Sequence, residues 1–401
     1  MTLDTALARL RPVFATIAQG ASGREQQHEL PRGEVRALVE AGFGALRVPV
    51  ELGGDGLSIP ELATVLVELA AADSNLPQIF RGHFAFVEDR LTAAADRNRD
   101  EWLARFVAGE IVGNAWSETG AGALGSTQTT LDSTDDSGRD GQMLNGRKFY
   151  TTGSIFADWI DVTALRTSDG VDVTALVRTH QAGVVISDDW DGFGQQLTGT
   201  GTTVFSGAAV EAVEVRAFEG RFRYQTALYQ LVLLAVQAGI ARAVELETAR
   251  EVRNRARVYS HGSGSLVAHD PQIQQVVGEI SSVAFVAAAT VQRVAEDLQR
   301  AFETAGDRGS AADDEANIAA EISSAQAQTV LSTLVPAAAG RVFDTLGASA
   351  LSRAKNLDRH WRNARAVTSH NPWIYKAKIV GDWSINGTPP PFIWNIGIAK
   401  K

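Results

Sequence analysis

The hydrophobic pattern changes twice along this chain, which limits the folds that the chain can adopt. In residues 1–112 the apolar side chains recur at helical spacing. Residues 113–215 are richer in threonine, valine and glycine, a composition typical of β structure. Long alanine-rich amphipathic runs return in residues 216–401. We therefore predict an N-terminal helical domain, a middle β domain and a C-terminal helical bundle with a tail.

Local signals refine this division. In the β region the dipeptides Asn145-Gly146 and Asp169-Gly170 predict turns, because Asn-Gly and Asp-Gly adopt the positive φ angles of tight hairpins. In the C-terminal region apolar periodicity predicts long helices over residues 225–257, 271–305 and 315–346, and a last helix over 373–382.

The composition excludes several classes of function. A formal net charge of −10, without a basic cluster, argues against nucleic-acid binding, which depends on grouped Lys and Arg. The absence of cysteine excludes disulfides, thiolate metal sites and iron–sulfur ligation, and it fits a reducing cytoplasm. The seven histidines show no close ligand pairing, so no metal site is predicted.

Membrane insertion and secretion are not expected either. The most apolar window, residues 228–241, is shorter than the roughly 20 residues that span a bilayer, so we predict a buried helix there. The first ten residues lack the apolar core and positive flank of a signal peptide.

Two segments of the β region carry the functional signal. Trp116-Ser117-Glu118-Thr119-Gly120 and Asn145-Gly146-Arg147-Lys148-Phe149-Tyr150-Thr151-Thr152-Gly153 place hydroxyl and aromatic side chains beside glycines. Such a set suits a flat ring with a polar edge. The pair resembles the flavin-contacting segments of the acyl-CoA dehydrogenase superfamily, with Ser117 and Thr152 at the hydroxyl positions and Tyr150 at the aromatic one.

The resemblance runs from about residue 30 to 387 and implies the fold of that superfamily. We expect a mainly α protein with N-terminal helices, a β-barrel-like middle domain and a C-terminal four-helix bundle. It further implies that Trp116, Ser117, Tyr150 and Thr152 contact the flavin and that Arg257 binds its phosphate. The residues that we expect to line the substrate pocket are His83, Phe84 and Trp190.

The segment before the last helix indicates which class of reaction within the superfamily to expect. Many acyl-CoA dehydrogenases carry a carboxylate base there, whereas this chain has no Asp or Glu between Arg359 and Gly381. The segment around His370 resembles the flavin-dependent monooxygenase branch, which includes dibenzothiophene monooxygenase and dimethyl-sulfone monooxygenase-like proteins. It departs from that pattern at Val367, in place of a first histidine, and at Asn371, in place of an aspartate.

This branch implies a two-component flavin-dependent monooxygenase. The expected cofactor is reduced flavin, FMNH2 in the first place and FADH2 as the alternative, with O2 as co-substrate and a C4a-hydroperoxyflavin as the oxygen donor. His370, Thr152 and Asn114 are the expected catalytic residues, with Thr152 and Asn114 at the N5 and C4a edge of the flavin. The expected substrate is a small apolar molecule, such as a sulfur or nitrogen heterocycle or a small sulfone.

The expected partners follow from what the chain lacks and from the resemblance. Residues 120–125 match Gly-x-Gly-x-x-Gly literally, but the sequence after them predicts a strand instead of the helix that a nicotinamide site requires. A separate NAD(P)H:flavin reductase is therefore expected to supply the reduced flavin. The superfamily resemblance implies a homotetramer.

Two other functions stay open from the sequence. One is an acyl-CoA dehydrogenase or oxidase whose base lies elsewhere, for example at Glu245 or Glu279. The other is a catalytically silent member that binds flavin or a partner as a scaffold.

Overall fold

The computed structural model describes residues 2–119, 126–133 and 141–393. The Gly-x-Gly-x-x-Gly match at 120–125 lies outside the described residues. Within them the chain is mainly helical with a central sheet, which confirms the predicted fold class.

The N-terminal part is helical. Its helices are α1 (Leu3–Gln27), α2 (Arg32–Glu40), α3 (Ile59–Ala72), α4 (Leu76–Ile79), α5 (Arg81–Thr92) and α6 (Arg97–Val107). The start of α3 shows how sequence sets these ends, because Ser58 and Glu61 form a reciprocal capping box. Pro60 stands in the first turn, where its missing N–H costs no hydrogen bond.

The middle part is one mixed sheet of eight described strands. These are β1 (Val112–Ala115), β2 (Thr130–Ser133), β3 (Gln142–Lys148), β4 (Trp159–Arg166), β5 (Val171–Arg178), β6 (Val184–Ile186), β7 (Thr203–Val210) and β8 (Val215–Ala217). The order is β6-β7-β3-β2-β4-β5-β8, and β1 pairs with β4. The pairs β1–β4 and β2–β4 are parallel, and the other described pairs are antiparallel.

The two predicted turns have different outcomes. Asp169-Gly170 connects β4 to β5, and Gly170 has a φ of 72°, as predicted. The turn predicted at Asn145-Gly146 is wrong, because both residues lie inside β3 at an irregularity in its pairing with β7. The glycine is needed there for space: a Cβ on Gly146 would lie 2.8 Å from the Cα of Thr129.

The C-terminal part contains α7 (Gln225–Asn254), α8 (Pro271–Thr304), α9 (Ala311–Leu346), α10 (Asp358–Thr368) and α11 (Lys376–Asn386). The three long helices begin and end within a few residues of the predicted bounds. The last helix begins later than predicted, because a 3₁₀ turn at Trp373–Tyr375 precedes it.

Two helices, α7 and α8 with the turn after it, are long and apolar enough to cross a membrane. The apolar stretch of α7 is mostly buried, so it is a core helix, as predicted for residues 228–241. Most of the apolar stretch of α8 is exposed.

The close packing of α7 against α3 depends on Gly239. A Cβ on this residue would lie 2.2 Å from the Cβ of Ala70, so the two helices touch through their backbones.

We predict that Gly239→Ala destabilises the fold, although alanine is the better helix former by about 1 kcal/mol. The added methyl group would force α3 and α7 apart in a close-packed core, a change that costs about 1–3 kcal/mol. Gly23→Ala, on α1 with no atom within 4 Å of the new Cβ, is the matched control and should raise the thermal midpoint slightly. Equal shifts of the two midpoints would contradict this packing.

Candidate functional site

The two sequence segments singled out above lie side by side. Ser117 and Phe149 form an isolated antiparallel bridge, in which the N–H of Phe149 donates to the carbonyl of Ser117 over 2.9 Å. A buried ion pair ties the same segments together, since Lys148 Nζ lies 2.6 Å from Glu118 Oε1. Burial opposes ionisation of Glu118, but hydrogen bonds from Lys148 and Thr129 outweigh it and lower the pKa of Glu118.

Thr152 ends a chain of three hydroxyl groups. Thr198 Oγ1 donates to the Gln195 carbonyl, and Thr200 Oγ1 lies 2.7 Å from the hydroxyls of both Thr198 and Thr152. Each hydroxyl has one hydrogen to donate. With Thr198 donating to Gln195, Thr200 can donate to Thr198, and Thr152 can donate to Thr200 or, over 3.4 Å, to the carbonyl of Tyr150. In this arrangement the oxygen of Thr152 keeps a lone pair that can accept a hydrogen bond.

Tyr150 has a left-handed backbone, with a φ of 57°. Its side chain is about half exposed, and its ring packs edge-on against Trp190 at 6.0 Å between centroids. Trp190 is held in turn by its Nε1, which donates to the carbonyl of Gly194 over 3.0 Å. The backbone strain at Tyr150 marks a position where the structure fixes an aromatic side chain at the surface of the site.

Trp116 lies between the sheet and α7. Its ring packs edge-on against Tyr229 of α7, with the ring centroids 5.7 Å apart, and the Arg221 guanidinium lies over the same ring at 4.6 Å. The indole Nε1 of Trp116 and the hydroxyl of Tyr229 are buried without a hydrogen-bond partner. Buried Trp and Tyr normally satisfy these groups, so the pair points to a ligand site.

Asn114 and Arg81 adjoin this aromatic pair. The Asn114 side chain packs on the backbone of Gly82, and its Oδ1 is buried without a partner. Arg81 begins α5 with its guanidinium 4.9 Å from the centre of the Tyr229 ring, and its Nε has no partner either. Four elements, α5, α7, β1 and the segment after β1, thus direct unsatisfied polar atoms into one region.

His370 lies in the turn after α10, and a loop from the β domain fixes the position of that helix. The side chain of Asn363, on α10, accepts from the N–H of Gln195 at 2.7 Å, and Arg362 donates to the carbonyl of Phe193. The rings of Phe193 and Trp361 stack at 5.8 Å. The same loop that holds Trp190 therefore sets the place of His370.

The imidazole of His370 is neutral at pH 7. Loss of hydration and then the charge of Arg81 lower the pKa of His370 to about 3, against a smaller opposing effect of Asn371. The side chain is nevertheless exposed. An exposed ring loses less hydration than one in an enclosed core, and the charge of Arg81 favours the neutral ring in either case.

The structure places His83 and Phe84 in the hydrophobic core. His83 Nδ1 accepts from the N–H of Val112 and Nε2 lies 2.8 Å from the carbonyl of Gly44, so both ring nitrogens are used by the backbone. Phe84 is fully buried against Phe43 and His83. Neither side chain has a polar atom left for a substrate.

Arg257 lies apart from the residues around Trp116. It is exposed in the segment after α7, three residues beyond the helix end, and its side chain pairs with no described carboxylate. A groove of about 450 Å³ opens on the β domain beside Trp159 and Arg178, but none of the predicted site residues lines it.

The carboxylates considered as relocated bases have partners inside the bundle. Glu245 accepts from the hydroxyl of Ser281 at 2.6 Å, and Glu279 pairs with Arg341 at 2.8 Å. The turn that holds His370 lies within the segment between Arg359 and Gly381 that contains no acidic residue.

Two family descriptions match the helical parts on either side of this site. "Acyl-CoA dehydrogenase, N-terminal domain" matches residues 10–110, and "Acyl-CoA dehydrogenase, C-terminal domain" matches residues 231–373. Together they cover more than half of the chain. This chain belongs to the acyl-CoA dehydrogenase superfamily.

Several relatives that match nearly the whole chain are monooxygenases. Dibenzothiophene monooxygenase from Mycolicibacterium goodii is 29% identical over 389 residues, which cover 92% of this chain and 89% of the relative. The probable FMNH2-dependent monooxygenase SfnC from Pseudomonas putida is 25% identical over 96% of both chains. The predicted superfamily and its monooxygenase branch are thereby confirmed.

A solved structure shows the same fold with flavin bound. TdsC from Paenibacillus sp. A11-2, in complex with FMN and indole, superposes with a TM-score of 0.86 at 29% identity. The match covers 97% of this chain and 99% of that chain.

Sequence reasoning missed three residues that adjoin Trp116 in the candidate site of this chain, namely Arg81, Arg221 and Tyr229. Arg81 offered a signal, because a cation between Phe80 and Gly82 interrupts an apolar run. Tyr229 and Arg221 offered none, since their proximity to Trp116 arises only from the packing of α7 on the sheet.

We predict that burial of His83 makes stability depend on pH. Burial lowers the pKa of His83 to about 4, below the value near 6.5 of an unfolded chain. The unfolded state therefore binds the proton first as pH falls, and stability that is full above pH 6.5 is lost toward pH 4. The loss should reach about 3 kcal/mol.

Denaturant unfolding of wild type and His83→Gln between pH 4 and 7 measures this dependence. The variant lacks the titrating ring, so its stability should fall less over the same range. An NMR titration in which folded His83 is already protonated at pH 5.5 would show that the ring is not held as described.

Proposed function

We propose that this chain is the oxygenase component of a two-component flavin-dependent monooxygenase. The observation that carries the proposal is the neutral, exposed His370 beside Arg81, where the sequence offers no carboxylate base. The monooxygenase relatives, which span nearly the whole chain, support the same reaction class.

The unsatisfied atoms fit a reduced flavin. Thr152 has a free lone pair, which suits the N5–H of a reduced flavin, and Trp116 and Asn114 offer unpaired polar atoms nearby. Ser117 and Tyr150 belong to the adjoining bridge and turn. Arg257, the phosphate residue expected from the resemblance, lies beyond the far end of α7, roughly 37 Å along the helix from Tyr229, so it would not reach the phosphate of a flavin held at Trp116 in the same chain. FMN is the favoured flavin, because TdsC binds it and SfnC is described as FMNH2-dependent. When bound, the reduced flavin supplies the activation of O2.

His370 would act as the general base and then the general acid of the reaction. A neutral imidazole can accept a proton at one ring nitrogen and return it in a later step. The positive charge of Arg81 shortens the lifetime of the protonated ring, so the proton is passed on instead of being retained. The aromatic rings of Trp116, Tyr229 and Trp190 limit access of water to the reacting atoms.

Substrate and partner follow from the same residues and from the sequence. The aromatic surfaces favour a small, largely apolar substrate that contains sulfur or nitrogen, and the relatives are named for dibenzothiophene. The sequence contains no nicotinamide site in helical context, so a separate NAD(P)H:flavin reductase would deliver the reduced flavin. A reducing cytoplasm suits both this exchange and a chain without cysteine.

We predict that the protein delays the reoxidation of reduced FMN. After photoreduced FMN and protein are mixed with O2, the absorbance of oxidised FMN should return in a slow phase that free FMN lacks. A panel that includes dibenzothiophene and indole should yield an oxygenated product during that phase. A dehydrogenase would instead bleach bound oxidised flavin when it is given an acyl-CoA, and a silent scaffold would do neither.

His370→Ala tests the assigned role within the same assay. Product formation should fall by about a hundredfold, the lower range for loss of a general acid or base. Thermal stability and FMN affinity should stay near wild type, because the side chain is exposed. With a pKa near 3, His370 should introduce no inflection in the rate between pH 5 and 8. A variant with full activity would show that the histidine is structural.

The exposed apolar face of α8 supports assembly into a homotetramer. Phe285 is 75% exposed on this helix, and Val286 beside it is also accessible. Closed symmetric association with further copies of the chain would cover this surface.

Light scattering at micromolar concentration should give the mass of four chains, and Phe285→Glu should lower it. Val185→Glu, at an exposed apolar position on strand β6, serves as the matched control. A monomeric wild type, or wild type that binds lipid vesicles through α8, would contradict the proposed assembly.

A further inference from the structure

Arg81 differs from every other buried arginine of the described chain. The others each pair with a carboxylate: Arg24 with Asp73, Arg47 with Glu88, Arg90 with Asp89, and Arg221 with Asp161. Arg81 is 6% exposed and has no salt bridge or hydrogen bond with any described residue, and its Nε is buried. It contacts the face of the Tyr229 ring instead.

A buried guanidinium without a carboxylate partner is energetically unfavourable. Burial removes its hydration and lowers the pKa of Arg81, yet arginine does not lose its proton at physiological pH. A buried charge is tolerated when an opposite charge is brought to it, and the described chain brings none. An anionic ligand would supply the opposite charge that the described residues do not provide.

Two hydrogen-bond donors near Arg81 have no acceptor among the described residues, and the unpaired Oδ1 of Asn114 is the acceptor beside them. The hydroxyl of Tyr229 and the indole Nε1 of Trp116 are both buried and unpaired, and their rings touch. His370 is close enough for the charge of Arg81 to lower its pKa. A planar guanidinium flanked by two neutral donors matches the oxygens of a carboxylate or sulfinate.

We propose that Arg81, Trp116 and Tyr229 form an anion subsite that binds the oxyanion head of the substrate, a carboxylate or a sulfinate. The proposal rests on the function proposed above and narrows its substrate class. The aromatic rings hold the apolar body of the molecule, while the head group neutralises Arg81. The guanidinium thus fixes which end of the substrate faces inward.

The phosphate of the flavin is a poorer occupant of this subsite. Arg81 is buried against the Tyr229 ring and close enough to His370 to lower its pKa, which is where the reacting end of a substrate belongs. A negatively charged reduced flavin ring is the competing occupant, and the experiment below separates the two.

The test is calorimetric binding to the FMN-loaded protein without turnover. The probes are two matched pairs, benzoate with neutral benzamide and benzenesulfinate with neutral methyl phenyl sulfoxide. At least one anion should bind tenfold or more tightly than its neutral counterpart. Arg81→Gln should abolish that preference, Arg81→Lys should keep part of it, and Arg97→Gln, which removes an exposed charge on α6, should leave it unchanged.

Thermal unfolding provides a second measurement, independent of the calorimetry. Arg81→Gln removes an unpaired buried charge, so the ligand-free variant should unfold at the same temperature as wild type or higher. The rise in midpoint that an anion gives to wild type should be lost. A variant that unfolds much earlier, with or without ligand, would mean that Arg81 has a structural partner and would overturn the subsite.

Other outcomes also decide the matter. Equal binding of anions and neutral counterparts by wild type would overturn the subsite even if FMN reoxidation is delayed as expected. If Arg81→Gln weakens binding of reduced FMN but not of the anions, the charge serves the flavin and the proposal is wrong. Absence of delayed reoxidation alone would refute the oxygenase function while leaving the anion preference measurable.

Discussion

The side chain of Asn363 joins the three parts of the chain. It accepts from the backbone of Gln195 in the β domain and donates to Glu25 of α1 and to Ser74, which precedes α4. Asn363 is 2% exposed, so each of these bonds is made in a medium where an unpaired partner would be costly. Because Asn363 lies on α10, this network also fixes the helix that ends at His370.

Two buried arginines of the N-terminal part are also paired with carboxylates. Arg24 bridges α1 to Asp73 and Glu34, and Arg47 binds Glu88, which also accepts from the hydroxyl of Tyr224. Buried polar atoms without a partner also occur in the N-terminal core, for example the Nε of Arg24 and of Arg90. Around Trp116 and Tyr229 such atoms lie together beside an arginine that has no salt bridge with a described residue, as expected of a site that receives polar ligands.

Motif spacing predicted that two distant segments lie together, and secondary-structure signals were less dependable. The two segments around Ser117 and Thr152 were expected to act together, and the bridge between Ser117 and Phe149 does bring them side by side. The turn expected at Asn145-Gly146 is absent because the glycine relieves a close contact with Thr129 inside a strand. Turn propensities depend only on neighbouring residues, so they could not predict a contact with a residue 17 positions away.

The sequence by itself determined the superfamily, the order of helical and β regions, and the absence of acidic residues from the segment around His370. These features follow from hydrophobic periodicity and short motifs, which can be read without knowledge of the fold. Only the tertiary structure decided that His83 is bonded on both nitrogens by the backbone, and that Arg81 lacks a counter-charge. Both depend on which groups lie within a few ångströms after packing, and hydration, hydrogen bonding and charge pairing act only over such distances.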